Sequence, residues 1–373
     1  MQIPLLDLSA QYAAIREAVD EAVARVVASQ RFVLGEEVEA LEAALAERIG
    51  VRHAIGCSSG TDALWLILKA LDLGADDEVI VPAFTFFATA GAVWNAGLRP
   101  VFCDVDPATF NVTVETLERA AGPRTRAVIA VHLFGQMAPM EDVVAWARER
   151  GVAVIEDAAQ AIDAERTPAG GGAPLRAGAA GDAGAFSFFP TKNLGGFGDG
   201  GLVTTDDDVL AERVRKLRVH GGKQMYHHEM VGTNARLDAL QAAVLRAKLP
   251  HLDAWTAARR AHAAIYDRAL ADVPEVLPPA VLPGNTHVYN QYTLRARRRD
   301  ELRTALEAAG IGTGVYYPAP LHLQPCFAAL GQGRGSLPAA EALCAEVLSL
   351  PVYPELGGGR AERVAEAIRA FYG

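Results

Sequence analysis

The sequence predicts an α/β protein: a large domain with a mostly parallel sheet covered by helices, then a smaller C-terminal α+β domain. Three observations predict it. Short apolar runs alternate with amphipathic helical periods up to Glu156, the rhythm of strands joined by helical crossovers. Beyond Pro250, and after the proline-rich stretch PEVLPPAVLP, that rhythm changes, which sets the expected domains at 1–250 and 251–373. The chain has 373 residues, 51% of them hydrophobic, enough for more than one core.

In order, residues 13–29 and 36–49 are expected as helices. In the second, Val38, Leu41, Leu45 and Ile49 recur at helical spacing and Gly50 ends it. VRHAIGC is a short strand that runs into SSGTDALWLILKAL, where Ala63, Leu64, Ile67, Leu68 and Leu71 mark a helix from near Thr61. Ser58, Ser59, Gly60 and Thr61 therefore lie at a strand-to-helix junction. Two readings fit it: an ordinary N-cap, or a seat for an anion on free N–H groups, with the hydroxyls as further donors.

The alternation continues. Residues 78–81, 100–103, 126–131 and 151–156 read as strands; 84–95, 114–120 and 140–150 read as helices. Ligands of such sheets bind beyond the carboxyl ends of strands. Asp157 and Gln160, in GVAVIEDAAQA, stand at one such end. An acid there is either a partner for a cationic group or a helix cap. Residues 165–184 are rich in Gly, Ala and Pro and read as a flexible surface loop. A helix over 207–219 carries Arg213, Arg215, Lys216 and Arg218, read as a solvated face. Helices over 237–249 and 251–270 flank Pro250. QYTLRA and GTGVYY then read as strands, and 301–309, 339–348 and 360–371 as helices.

The most informative stretch is Ser187 to Gly201, SFFPTKNLGGFGDGG. Lys192 sits there among phenylalanine, proline and leucine. An apolar setting disfavours the ammonium form and frees the amine to attack a carbonyl, which a Schiff-base lysine needs. The glycines that follow would let backbone approach a planar ligand closely. Gly196, Gly198 and Gly201 also fit G-x-G-x-x-G, but the strand-like LVTT follows them, so no helix N-terminus faces a pyrophosphate and the dinucleotide reading fails.

Composition excludes other classes. Lys and Arg total 35 against 45 Asp and Glu, a formal charge of −10, which argues against nucleic-acid binding. No apolar run is long enough to cross a bilayer, and the early acids do not fit a secretory signal; a cytoplasmic location is expected. Cys57, Cys103, Cys326 and Cys344 have no paired spacing, so neither a disulfide framework nor a zinc site follows. His227, His228 and Glu229 look superficially like metal ligands, but adjacent histidines point apart on regular backbone, and no metal is expected.

A Schiff-base lysine, an acid at a strand end, a phosphate-like helix start and an aromatic run (Phe84, Phe86, Phe87) form the set that pyridoxal phosphate requires. At this point the chain resembles the nucleotide-sugar aminotransferases, the DegT/StrS family of fold type I pyridoxal-phosphate enzymes. The resemblance runs nearly end to end: PLLDL, RFVLGEEVEALE, SSGTDAL, VIVPAFTFFATA, PVFCDVDP, AVHLFGQ, EDAAQA, SFFPTKNLGGFGDGG, GTNARLDALQAAVL and TGVYYPAPLHLQPCF occur in order. It implies that Lys192 bonds the cofactor's aldehyde and Asp157 pairs with its pyridine nitrogen. Gly60, Thr61 and Ser187 would hold the phosphate, Phe86 would stack on the ring, and Gln160 would lie near the ring hydroxyl. Asn234 would reach the phosphate of a partner subunit, implying a homodimer with shared sites. Arg236, Tyr316, Tyr317 and His322 are candidates for the substrate end.

The implied reaction moves an amine from L-glutamate to a nucleotide-linked keto sugar. KNLG followed by GDGG is similar to the branch that acts on 3-keto sugars; the alternative is a 4-keto substrate. Relatives that dehydrate the sugar carry histidine in place of the lysine, so Lys192 argues against them. A cofactor-binding regulator without turnover would need a DNA-binding segment, for which this acidic chain has no spare domain. The chain departs from the family pattern in three places. Ile162 and Asp163 stand where histidine and glycine are usual, the Gly/Ala-rich loop is long, and Tyr316 replaces a common histidine.

Overall fold

The computed structural model describes residues 2–224 and 226–373. The chain opens with α1 (Leu8–Ser29) and α2 (Glu36–Ile49), then alternates: β1 (His53–Cys57), α3 (Gly60–Ala70), β2 (Glu78–Pro82), α4 (Ala88–Asn95), β3 (Arg99–Cys103), α5 (Val114–Ala120), β4 (Thr125–Val131), α6 (Met140–Arg150) and β5 (Ala153–Asp157). The short β6 (Glu165–Arg166) and β7 (Leu175–Arg176) precede β8 (Ala183–Ser187), β9 (Gly201–Thr205), α7 (Asp208–Leu217), α8 (Ala239–Lys248) and α9 (Leu252–Leu270). The chain closes with β10 (Val276–Leu277), β11 (Asn285–Thr286), β12 (Tyr292–Ala296), α10 (Arg299–Ala308), α11 (Pro338–Glu346), β13 (Val347–Leu350) and α12 (Gly358–Tyr372).

The main sheet has seven strands in the order β1-β9-β8-β5-β4-β2-β3. From β8 to β3 every neighbour is parallel; β9 alone runs against its neighbours β8 and β1. Both faces are covered, and alternate side chains serve different cores. Val79, Val81, Ala127, Ile129 and Ile155 pack on one side; Ile80, Val128, Ala130 and Val154 pack on the other, with α2, α6 and α8. A two-sided strand must be apolar at nearly every position, which is why VIV and AVIAV show no alternation in sequence.

A three-stranded antiparallel sheet, β10-β12-β13, packs with α9, α10 and α12 around Tyr266, Tyr292, Tyr353 and Leu294. Ile3 joins this second core from the other end of the chain: its N–H donates to Gly310 O and its carbonyl accepts from Gly312 N. Along α9, Leu252 and Trp255 pack on the large core, whereas Ala263, Tyr266 and Leu270 belong to the second.

Several expectations need correction. α1 starts at Leu8, because the Asp7 carboxylate caps it by accepting from Ser9 N and Ala10 N. α4 starts at Ala88 rather than Phe84. GTGVYY is no strand: the Tyr316 ring folds back over Gly314, and only a single bridge, Gly314 to Ser349, forms. The helix expected to reach Leu348 ends at Glu346. Val347–Leu350 is strand β13: VLSL, apolar but for Ser349, fits either period, and pairing with buried β12 decides it. The Gly/Ala-rich loop is not free at its second half. The buried Glu156 carboxylate accepts from the N–H groups of Gly178, Ala180 and Gly181, and Thr204 Oγ1 donates to Gly178 O at 2.6 Å. Nor is α7's basic set simply solvated: Arg218 is buried and spans Glu42 and the Gly56 carbonyl.

Candidate active site

Sheet register gathers the site. Cys57, the last residue of β1, pairs with Gly201, which pairs in turn with Ser187, the last residue of β8. Ser58–Thr61 therefore emerges beside Ser187. A Cβ on Gly60 would lie 2.8 Å from Ser187 Cβ, so glycine is what allows the first turn of α3 to sit against that strand end. The N–H groups of Gly60 and Thr61 have no intrahelical acceptor and carry the positive end of an 11-residue helix. The serine hydroxyls, expected as extra anion donors, are engaged elsewhere: Ser58 Oγ and Ser59 Oγ both donate to Asp62 Oδ2, at 2.6 and 2.8 Å. Ser59 is thus the cap, its Oγ accepting from Asp62 N at 3.0 Å, and the backbone N–H groups of Gly60 and Thr61 are left without an intrahelical acceptor.

Asp157 ends β5, level with Ala185 on β8. It is buried; Thr89 Oγ1 donates to its Oδ2 at 2.8 Å and Ala159 N to its Oδ1 at 3.2 Å. Burial pushes its carboxyl above the usual range, while Thr89, the Ala159 N–H, Lys192 and His132 pull it back. Lys192 is half-buried. Burial takes its amine from the ordinary 10.5 down to about 8, with the Asp157 carboxylate opposing. A lysine and an acid that feel each other across a desolvated gap, each shifted toward neutrality, make a site suited to a group that brings one positive charge and one carbonyl.

Gln160 faces the same space. Phe134 N donates to its Oε1 at 2.7 Å, which fixes the orientation of the amide, so its Nε2 donates to the Tyr317 hydroxyl oxygen at 3.3 Å. Tyr317 stands edge-on to Phe84 and 6.2 Å from the Phe86 ring; its phenol is raised, chiefly by burial. Phe86 itself is 58% exposed, a flat aromatic face open to a planar ligand. Lys192, Asp157, Gln160, Phe86 and Tyr317 are thus brought together, with Gly60, Thr61 and Ser187 grouped at the β1 and β8 ends.

A model of the DegT/DnrJ/EryC1/StrS aminotransferase family matches residues 13–369. The chain belongs to this family. It is 49% identical to a pleiotropic regulatory protein of Geobacillus stearothermophilus, covering 100% of this chain and 99% of that one. It is 46% identical to a UDP-N-acetyl-3-dehydro-alpha-D-glucosamine 3-aminotransferase of Acidithiobacillus ferrooxidans, covering 98% and 97%. Among solved structures, S. venezuelae DesV in complex with a ketimine intermediate superposes with a TM-score of 0.96 at 45% identity, covering 100% of this chain and 98% of that one.

Of the other candidate residues in this DegT/StrS chain, Tyr316 stands beside Tyr317, ring centroids 6.0 Å apart. His322 is turned into the protein, its Nε2 3.2 Å from Glu341 Oε1. Asn234 is exposed on the segment that bridges to Val219, and Arg236 is half-buried two residues on. Tyr316 is half-buried. Glu229 pairs with Lys216 at 2.7 Å. The glycines after Lys192 make room for protein: a Cβ on Gly196 would meet Gln241 Oε1 at 2.6 Å, and one on Gly201 the Ser59 carbonyl at 2.3 Å. Sequence reasoning missed Thr89, which supports Asp157 from sixty-eight positions away; TFFATA offered a local aromatic signal but none for that hydroxyl.

The family departure at Asp163 also has an explanation. Its backbone is left-handed, φ 67°, a conformation glycine adopts freely and aspartate tolerates better than most residues. In return its carboxylate takes two parallel 2.6 Å bonds from Arg48.

Proposed function

We propose that this chain is a pyridoxal-phosphate-dependent aminotransferase that moves an amino group from L-glutamate to a nucleotide-linked 3-keto sugar. The observation that carries the reading is the facing pair, a Lys192 amine lowered to about 8 and a buried Asp157, in a chain of the aminotransferase family. The donor set fits the cofactor: a nucleophilic amine for its aldehyde, a carboxylate for its ring nitrogen, and a helix start for its phosphate. Bound there, the cofactor supplies the electron sink that holds the charge left when the donor's α-carbon gives up its proton.

The residues do the rest. Asp157 keeps a ring nitrogen cationic; Thr89 and the Ala159 N–H hold that carboxylate in place and ionised. Lys192, its amine lowered by burial to about 8, would be the base that takes the proton from the donor's α-carbon and would deliver it to the carbon of the bound cofactor on the other side of the shared nitrogen. Gln160 holds the ring hydroxyl with the amide hydrogen that Tyr317 does not use. Phe86 covers one ring face, and Gly60, Thr61 and Ser187 take the phosphate.

The enzyme works as a cytoplasmic homodimer, with Asn234 serving the neighbour's site and the chain divided near residue 250. Exposed Phe189, Phe197, Tyr226 and Val231 support a partner surface. Among the described residues no helix is long and apolar enough to cross a membrane. Arg236 and Tyr316 are assigned to the substrate end; His322, buried against Glu341, is not. Tyr317, bonded to Gln160, serves the cofactor end instead.

The 3-keto reading rests on KNLG and GDGG after Lys192, and the name of the A. ferrooxidans relative supports it. Moving the keto carbon by one ring position shifts it by over about an ångström, enough to spoil a near-attack geometry. The experiment supplies 3-keto and 4-keto isomers of dTDP- and UDP-linked sugars with glutamate and locates the new amine by NMR. Amination at carbon 3 is expected; amination only at carbon 4 overturns the substrate reading and leaves the cofactor chemistry standing. The name of the G. stearothermophilus relative, a pleiotropic regulatory protein, favours a second reading, a cofactor-binding regulator. It would be supported if glutamate altered no bound cofactor.

A further inference from the structure

The loop that carries Lys192 is closed on itself by backbone. Lys192 N donates to Phe189 O at 2.9 Å, Gly196 N to Phe188 O at 2.8 Å, and Phe188 N to Gly200 O at 2.8 Å. Those bonds set the loop's shape, and the buried Asn193 amide ties it to the domain by donating to the Val288 carbonyl at 3.0 Å. Two side chains of α8 anchor the backbone just beyond. Lys248 Nζ donates to the Gly195 carbonyl at 2.7 Å, and Gln241 Oε1 accepts from Phe197 N at 2.7 Å. Positions 241 and 248 lie two turns apart on one stripe of the helix, and their contacts bracket Gly196.

The glycines record the closeness of this fit. Any side chain at Gly196 would strike Gln241 Oε1 at 2.6 Å, and one at Gly198 would come within 3.0 Å of Gln241 Nε2. Lys248 is only 3% exposed, yet among the described residues its ammonium has this one hydrogen-bond acceptor and the face of Phe197, 5.0 Å away. Burial alone pulls it down to about 8. An ammonium buried with so little compensation costs stability, and methionine would fill the same space without that cost. Nothing in the reaction as derived above uses this charge.

We propose that Gln241 and Lys248 form a two-point tether by which α8 fixes the Lys192 loop, with Lys248 a positioning residue for the Schiff-base lysine. This rests on the role proposed for Lys192 and extends it to α8, which carries none of the cofactor-binding residues assigned above. α8 begins just after Asn234 and Arg236, so the same helix ties the Lys192 loop to the segment assigned to the neighbouring subunit. A loose loop would let water reach the Lys192 amine and would blur its distance to Asp157; a misplacement of about 1 Å is enough to cost roughly 100-fold in rate.

The test compares wild type with Lys248→Met and Gln241→Leu, two variants that each remove one tether point. One measurement uses cofactor-free protein: the pH dependence of Lys192 acylation, followed by peptide mass spectrometry. The other is steady-state kinetics with L-glutamate. In both variants the midpoint of Lys192 labelling is expected to rise from about 8 toward that of an exposed lysine. The kcat is expected to fall roughly ten- to hundred-fold with KM nearly unchanged. A lowered melting temperature with unchanged labelling midpoint and unchanged kcat in both variants would overturn the proposal, since that is what a packing role alone produces. If Lys248→Met does not fold, Gln241→Leu, which buries no new charge and removes none, decides it. Failure of borohydride to fix cofactor to Lys192 in wild type would defeat the function proposed above; the labelling of cofactor-free protein would still judge the tether.

Discussion

Thr89 Oγ1 donates a 2.8 Å hydrogen bond to Asp157 Oδ2 where both side chains are buried. Burial raises the Asp157 carboxyl and this bond is the largest influence that lowers it. Thr89→Val keeps the shape and removes the bond. A hydrogen bond to a charged group is worth about 1.5–3 kcal/mol, so kcat/KM at neutral pH should fall roughly ten-fold or more. The sign for pH follows from the bond favouring the ionised form. Without it the carboxyl protonates at higher pH, and the acid limb of the kcat/KM profile should move up. An unmoved limb would mean that Thr89 only fills space.

Asp157→Asn removes the charge and keeps the volume. The variant should still take up cofactor, since Lys192, Gly60, Thr61 and Ser187 are untouched, but turnover should drop by about 100-fold or more. Visible absorbance reports cofactor uptake and a coupled glutamate assay reports rate. Near-normal turnover would reduce Asp157 to a cap on the β5 turn.

Much of this was legible in sequence, and the division between what was and was not is physical. The helices of residues 36–49, 114–120 and 140–150 have the bounds that their periodicity, caps and glycine stops indicate. Lys192, Asp157 and Gln160 lie in short local motifs, so a linear reading could find them. β8 was not foreseen: AGAFS lacks β-branched residues and follows a glycine-rich run, and only its place between β5 and β9 makes it a strand. β13 and the bend at Gly314 were likewise decided by tertiary neighbours. So were the contacts that tune the site: Thr89 on Asp157, Phe134 N–H on Gln160, and Lys248 on Gly195 join residues far apart in the chain.

Arg48 and Asp163 test whether the departure from the family pattern is structural. Arg48→Met leaves a mostly buried carboxylate at a left-handed position with its two charge-assisted bonds gone. Denaturant titration should show a loss of about 1–3 kcal/mol, with kcat and KM for glutamate unchanged, because neither residue borders the Lys192–Asp157 pair. A changed KM would draw this corner into the site.

Shared active sites are tested by mixing. Lys192→Ala and Asn234→Ala chains should each be inactive alone. If Asn234 serves its neighbour, subunit exchange produces heterodimers in which one of the two sites is intact, each with up to roughly half the activity of a wild-type dimer. No recovery after verified exchange would confine each site to a single chain.

The central claim is that Lys192 is the amine that holds pyridoxal phosphate for transamination. The direct measurement is borohydride reduction of the cofactor-loaded protein followed by peptide mapping, with a parallel sample given L-glutamate first. The expected result is a single phosphopyridoxyl group on Lys192 in the first sample. In the second, that adduct should be lost, because glutamate has displaced the lysine and left its amine on the cofactor. Attachment at Lys248 or another lysine, or a Lys192 adduct that glutamate does not diminish, would contradict the account.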